Sequence, residues 1–452
     1  MHIALKTPQK LTADITLPAS KSVSNRALLL QALCPEQQFA IDNLAMCDDT
    51  EHMQQGIASK RAGAPLIDIG ATGTAMRFLT AYLSITEGTT VLTGSMRMQQ
   101  RPIGTLVEAL RKLGADITYT NKEGYPPLQI RGKQLKGGEL EIEASISSQY
   151  ISALLMIAPS LSDGLTLHLK GTIASRTYIE LTLDLMRKFG ATAAWIDEHT
   201  IRVNPGNYKD TPLTVEGDWS AASYWYELAA IAASKGHDID ILLRGLQANS
   251  CQGDRVVADM FDAMGVATEY TKEGARLSRS HHAQYVPEDE EKADATCPQQ
   301  ARACRGESPF KCMDFTHCPD IAQTLAVTCC MLNIPFRFKG IHSLRIKETD
   351  RVEALVTELH KLGFILHAEG DESLFWDGAR CEPLRAPTIA TYDDHRMAMA
   401  FAPTALCHES LTIEHPEVVS KSYPGFWKDL EQLTNDNSQL TIQNTYYEHS
   451  SI

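Results

Sequence analysis

The feature that most constrains this chain is a repeat. Helix-like stretches of two kinds recur along it, each series at intervals of about 75 residues. One kind is amphipathic and closes on glycine: "LRKLGADI" at Gly114, "LMRKFGATA" at Gly190, "MFDAMGVAT" at Gly265 and "LHKLGFIL" at Gly363. Each glycine stands where a helix takes a left-handed C-cap. The other kind is far more apolar and opens on small or polar residues, at Ser22, Gly73, Ser147, Ser220, Asp320 and Asp394. Strand-like alternations such as "TTVLTG", "PLQIRG", "LTLHLKG" and "LTIEHP" lie between the helices. Two independent series with one period make coincidence a poor explanation. The chain reads as an α/β protein of six strand-helix units, divided three and three. The one long interval, between Gly265 and Asp320, holds a polar, Pro-containing stretch at 282–308 that reads as an inserted loop.

A chain of 452 residues exceeds one ordinary core, so at least two domains are expected. No apolar run is long enough to span a bilayer, and "MHIALKTPQKL" lacks the apolar core of a secretory signal. The 11 cysteines show no framework spacing, which suits reduced thiols in the cytoplasm. A net charge of −14 argues against nucleic-acid binding and makes any local cluster of cations informative.

Such a cluster exists. Lys21, Arg26, Arg77, Arg101, Lys347, Arg351, Arg396 and Lys421 fall at or beside the openings of the apolar helices. A helix start already carries positive partial charge and unsatisfied N–H groups, so cations are disfavoured there unless an anion fills the space. A lone arginine at such a place is ordinarily a solvated surface residue. Eight on an acidic chain point to a pocket, assembled from several units, for a multiply charged anion.

Competing signatures are missing. There is no G-x-x-x-x-G-K-[ST] loop, and "GATGTAMR" lacks dinucleotide-binding spacing. No H-E-x-x-H or C-x-x-C pair occurs, and Cys297, Cys304, Cys312 and Cys318 near His281 and His282 fit no standard zinc module. No metal site is assigned. His395 in "TYDDHRMAMA" reads as a supporting residue rather than a base. Two carboxylates have a chemical look. Asp320 opens an apolar helix, where it is either an N-cap or a base. Glu348 lies between Lys347 and Arg351, where it is either a salt-bridge partner or a proton carrier.

The stretches "LPASKSVSNRALLL", "GATGTAMRFL", "RPIGTLVEAL", "SISSQYISALLM", "SLRIKETDRVEAL" and "TYDDHRMAMA" resemble, in order, the 5-enolpyruvylshikimate-3-phosphate synthase family of enolpyruvyl transferases. The resemblance runs from about residue 15 to residue 433. It implies two inside-out α/β barrel domains of three repeats each, with chain crossings near residues 20 and 215. The expected domains are 1–20 with 216–435, interrupted by the loop at 282–308, and 21–215, followed by a polar tail at 436–452.

The resemblance also implies site roles. Lys21 would touch both substrates. Ser22, Arg26, Ser147, Ser148, Gln149, Ser175, Asp320 and Lys347 would hold shikimate 3-phosphate. Gly73, Arg101, Gln149, Arg351, Arg396 and Lys421 would hold phosphoenolpyruvate, whose carboxylate and phosphate suit arginine forks. Asp320 would act as base, with Glu348 and Lys21 carrying protons. The implied enzyme needs no cofactor, has only small-molecule partners, binds neither nucleic acid nor membrane, and is a cytoplasmic monomer. Phe78 and Ser343 depart from the family, whose members often carry proline and asparagine there. Two alternatives remain at this point: an enolpyruvyl transferase acting on UDP-N-acetylglucosamine, and a non-catalytic anion-binding member of the fold.

Overall fold

Among the described residues, apolar and amphipathic helices alternate along the chain. In order they are α1 (Lys21–Ala32), α2 (Asp48–Arg61), α3 (Gly73–Ile85), α4 (Gly104–Lys112), α5 (Ser148–Ile157) and α6 (Arg176–Lys188). There follow α7 (Trp219–Ser234), α8 (Val257–Asp262), α9 (Ala322–Met331), α10 (Arg351–Lys361), α11 (His395–Phe401) and α12 (Phe426–Gln432). These come from a computed structural model that describes residues 1–5, 10–36, 40–280, 311–408, 410–433 and 440–443. The odd-numbered helices are the apolar set. Every residue of α7 except Ser234 is buried, as is every residue of α11. The even-numbered helices bury one face only; α4, for example, buries Leu106, Val107, Ala109 and Leu110 and exposes its charges. Gly114, Gly190, Gly265 and Gly363 all take positive φ, between 84° and 98°, as the C-cap reading expects.

A single repeat shows how strands join the helices. Leu66–Asp68 leads into α3, Gly88–Thr93 follows, then α4 and the hairpin of Asp116–Tyr119 with Leu128–Gly132. The first two strands pair in parallel (Leu66 opposite Val91). The second pairs antiparallel with the fourth, and the fourth with the third. The strands around α5 and those around α9 repeat this order. The parallel step uses an apolar helix as its crossover, which is why those helices are covered on all sides.

Two repeats exchange their first strands. Lys10–Thr16 precedes α1 in sequence but pairs with Asp238–Arg244, the strand after α7. Leu213–Thr214 precedes α7 but pairs with Ile41–Asp42, the strand after α1. The repeat around α11 is completed by the N-terminal strand His2–Leu5, which pairs with Leu411–Ile413 and Leu440–Gln443. The chain accordingly divides into two compact units: Met1–Leu17 with Gly217–Ser250 and Asp254–Ile452, and Pro18–Glu216 with Cys251–Gly253. Gln252 ties the short excursion to its unit by donating to Glu216 Oε2 at 3.0 Å.

Each unit has its own core. In the first, α7, α9 and α11 pack on one another; in the second, α3 packs on both α1 and α5. The fold is mixed α/β, but the barrel expectation needs correction. Each four-stranded sheet is open, and none closes into a barrel among the described residues. The inserted loop at 282–308, with Cys297 and Cys304, lies outside the described residues. So do His281, His282 and all of the 436–452 tail apart from 440–443.

Candidate active site

In the first unit the charged motif residues gather around one guanidinium. Arg351 opens α10 and is 2% exposed. Its Nε donates to Asp394 Oδ2 at 2.7 Å, its Nη1 to Asp320 Oδ1 at 3.2 Å and its Nη2 to Glu348 Oε2 at 3.0 Å. Burial works to lower the Arg351 pKa, but Asp394, Glu348 and Asp320 outweigh it and raise the value. Lys421 Nζ donates to Glu348 Oε1 at 2.6 Å, and Lys347 Nζ to Asp320 Oδ1 at 3.4 Å. Burial lowers the Lys347 pKa, with Asp320 pulling the other way.

Arg396, on α11, closes the group. Its Nη2 lies 3.3 Å from Asp320 Oδ2 and donates to Ser220 Oγ at 3.2 Å. Its Nη1 reaches the Asp320 carbonyl at 3.0 Å and the Tyr224 hydroxyl at 3.4 Å. Burial pushes the Tyr224 phenol up to about 12. Asp320, Lys347, Glu348, Arg351, Arg396 and Lys421 are therefore one cluster in which cations and carboxylates alternate.

Of the two readings of Asp320, the capping one is not met. The residue sits within a short 3₁₀ turn, Pro319–Ile321, and neither that turn nor α9 behind it has a side-chain cap. The Asp320 carboxylate is turned to Lys347, Arg351 and Arg396 instead.

In the second unit the motif residues lie at the starts of α1, α3, α5 and α6. Ser20 caps α1, and Lys21 at its first position pairs with Asp49 at 2.9 Å. Arg26 lies deeper, 2% exposed. Its Nε donates to Thr182 Oγ1 at 2.7 Å, its Nη1 to the Ser22 carbonyl at 2.9 Å and its Nη2 to Ser152 Oγ at 3.2 Å. The rings of Phe78 and Tyr178 lie 5.3 and 5.7 Å from the guanidinium carbon. Burial pushes the Arg26 pKa down to about 10. Phe78, one of the departures from the family pattern, thus forms a wall of the Arg26 pocket. Ser343, the other, lies half-buried in the turn His342–Ile346.

Gly73 opens α3, and Arg101 covers it. A Cβ at Gly73 would lie 2.8 Å from Arg101 Nη1, so a side chain there would push this guanidinium aside. Arg77 donates to the Gly73 and Pro102 carbonyls. Ser147 caps α5, accepting from the Gln149 N–H at 3.3 Å, and Gln149 Nε2 donates to Thr74 Oγ1 at 3.1 Å. Ser148, first in α5, is buried. Ser175, ahead of α6, is buried in the left-handed region at φ 53°, and its side chain makes no cap hydrogen bond.

Sequence reasoning missed the partners that hold these cations. Asp394 carried a signal, since it stands before an apolar helix in the capping position, and it does accept from the Arg396 N–H at 2.9 Å. Asp49 carried none, because acids in the first turn of a helix are ordinary.

Comparison with known proteins bears on the family of the chain. The family described as EPSP synthase (3-phosphoshikimate 1-carboxyvinyltransferase) matches residues 5–63 and 57–430. A 3-phosphoshikimate 1-carboxyvinyltransferase of Bacteroides fragilis is 51% identical over 432 residues, covering 96% of this chain and 98% of its own. One from a Sulfurovum species is 37% identical over 458 residues, covering 96% and 99%. Among solved structures, an EPSP synthase of Acinetobacter baumannii superposes with a TM-score of 0.72 at 20% identity, covering 96% of this chain and 98% of that one; this likeness bears on the fold alone. With family motifs at the openings of the buried helices and relatives matched over nearly its whole length, the chain belongs to the EPSP synthase (3-phosphoshikimate 1-carboxyvinyltransferase) family.

Proposed function

We propose that the chain transfers the enolpyruvyl group of phosphoenolpyruvate to the 5-hydroxyl of shikimate 3-phosphate, releasing phosphate, on the route to chorismate and the aromatic amino acids. The observation that carries the mechanism is the alternation of charge around Arg351. Asp320 and Glu348 each share that guanidinium and each have a lysine of their own, Lys347 and Lys421.

In this reading Asp320 takes the proton of the 5-hydroxyl as its oxygen bonds to C2 of phosphoenolpyruvate. Glu348, in contact with Lys421 and aided by Lys21, delivers a proton to the methylene carbon. The tetrahedral adduct then loses a proton from that carbon, its C2–O bond to phosphate breaks, and phosphate leaves with the bonding pair. Fixed cations meet the charge that develops on the departing phosphate. Arg351, Arg396, Lys421, Arg101, Gln149 and the Gly73 backbone serve phosphoenolpyruvate. Ser22, Arg26, Ser147, Ser148, Gln149, Ser175, Asp320 and Lys347 serve shikimate 3-phosphate.

Within each unit we read the arrangement as inside-out, with apolar helices central and sheets and amphipathic helices around them. The burial of α7 and α11 along their length supports this. We read the enzyme as a cytoplasmic monomer. The free thiols at Cys34, Cys47 and Cys318 suit a reducing compartment, and no helix of the described residues is long and apolar enough to cross a membrane. Nothing in the site favours UDP-N-acetylglucosamine as acceptor. The decisive test is phosphate release from phosphoenolpyruvate, which is expected only when shikimate 3-phosphate is present. Release without the second substrate, or none with it, overturns the reading.

A further inference from the structure

The Arg351 cluster depends on Asp394, and Asp394 follows an improbable stretch of backbone. Tyr392 and Asp393 are consecutive non-glycine residues in the left-handed region, at φ 54° and 55°. A side chain at either position crowds its own backbone, so such a pair persists only where the surroundings over-determine it. The turn is closed locally by the Asp394 N–H donating to the Thr391 carbonyl at 2.9 Å. The rest of the restraint comes from the far end of α10.

Glu358 lies seven residues after Arg351, hence two turns along the same face of that helix. It is fully buried near a helix C-terminus, where a carboxylate is disfavoured both by desolvation and by the helix dipole. Its partners explain why it is there. Glu358 Oε1 accepts from the Tyr392 hydroxyl at 2.6 Å, and Oε2 accepts from the Ala390 N–H at 3.2 Å and from Lys361 Nζ at 2.7 Å. Lys361 Nζ also donates to the Thr388 carbonyl at 2.9 Å. α10 thus grips segment 388–394 twice: Lys361 and Glu358 hold its beginning and middle at Thr388, Ala390 and Tyr392, and Arg351 holds its end at Asp394. The strained pair lies between the two grips.

We infer that Glu358 and Tyr392 are positioning residues for the reaction, a strap that fixes Asp394 and through it the aim of the Arg351 and Arg396 guanidinia. Neither residue need touch substrate. Without the strap, Tyr392 and Asp393 relax toward ordinary backbone angles. Asp394 then loses register with Arg351 Nε and with the Arg396 N–H that it caps.

The test is Tyr392→Phe in the full chain. Tyr392 is exposed and the change removes only the hydroxyl, so folding is expected to survive. Hydrogen–deuterium exchange should quicken in peptides covering residues 390–397 and stay unchanged over α1, α3 and α5. The inference about catalysis rests on the proposed reaction, and there the KM for phosphoenolpyruvate should rise roughly ten- to hundredfold, about the range for losing one hydrogen bond to a charged group. The KM for shikimate 3-phosphate should barely move. In an Asp394→Asn background the same substitution should add nothing to KM, because the two act in series. Unchanged exchange at 390–397 overturns the strap. Faster exchange with an unaltered KM, or effects that simply add, overturns its role in positioning. If wild-type protein shows no turnover, the proposed reaction is what fails, and exchange still decides the strap.

Discussion

Arg351 in the first unit and Arg26 in the second are both 2% exposed, yet they are held in opposite ways. Arg351 meets three carboxylates, those of Asp320, Glu348 and Asp394. Arg26 meets the hydroxyls of Thr182 and Ser152, the carbonyls of Ser22 and Tyr178, and two aromatic faces. A carboxylate cancels a charge, whereas a hydroxyl or carbonyl only solvates it. The pKa directions follow: Arg351 is held up despite its burial, and Arg26 is pushed down to about 10. A cluster that interleaves both signs suits the proton transfers proposed for it. A cation held by neutral dipoles keeps its positive field, which suits binding a phosphate without chemistry.

Removing a carboxylate from the first cluster should therefore have the largest effect. Asp320→Asn keeps size and one oxygen acceptor but cannot take a proton. Turnover should fall by roughly 10²–10⁴-fold, with the KM for shikimate 3-phosphate changed far less. The structure sharpens this test, because Asp320 caps no helix and loss of a cap cannot account for the result. A kcat within a few-fold of wild type would demote Asp320 and leave Glu348 as the candidate base.

The comparison can next be broken on stability. Asp394→Ala leaves the buried Arg351 guanidinium without its fully buried partner, and cuts of this kind cost about 3–5 kcal/mol. The matching cut in the second unit is Thr182→Val, which removes one neutral acceptor from Arg26 and should cost about 1.5–3 kcal/mol. Urea denaturation of both variants measures the difference. Equal losses would mean that the type of partner does not matter.

The sequence carried the repeat well and the support of the site poorly, for one physical reason. Periodicity and glycine caps are local, so Gly114, Gly190, Gly265 and Gly363 could be assigned from their neighbours alone, and each has the expected backbone. The exchange of Lys10–Thr16 for Leu213–Thr214 between repeats is not local. Nothing within either strand says which partner it will find. The cations were legible because eight at helix starts on an acidic chain break a rule. Their partners were not, since Asp49, Thr182 and Ser152 obey ordinary preferences and reveal a role only in space. The resemblance named barrels, but among the described residues pairing in these sheets stops at four strands, with no further strand on either edge.

A smaller effect should come from Gly73→Ala. The added methyl would press on the end of the Arg101 side chain, 2.8 Å from Nη1, and on no backbone atom among the three nearest. A flexible side chain yields easily, so stability should hardly change. The displaced guanidinium should nevertheless raise the KM for phosphoenolpyruvate by roughly tenfold, about the worth of one charged hydrogen bond. The KM for shikimate 3-phosphate serves as the control. An unaltered KM for phosphoenolpyruvate would remove Arg101 from that substrate's site.

The smallest effect should separate binding from backbone strain at Ser175. Serine is an unlikely occupant of φ 53°, where glycine costs nothing and other residues cost about 1–2 kcal/mol. The usual justification, a side-chain cap for α6, does not apply here. If the hydroxyl is retained for shikimate 3-phosphate, Ser175→Gly and Ser175→Ala should raise the KM for that substrate equally, by roughly three- to tenfold for a neutral hydrogen bond. Their stabilities should differ. Ala inherits the strain of the left-handed backbone and should melt at or below wild type. Gly relieves that strain while gaining freedom when unfolded, and should fall within about 1 kcal/mol of wild type. A KM that rises only in the glycine variant would trace the effect to backbone freedom ahead of α6 and would strike the hydroxyl from the binding set.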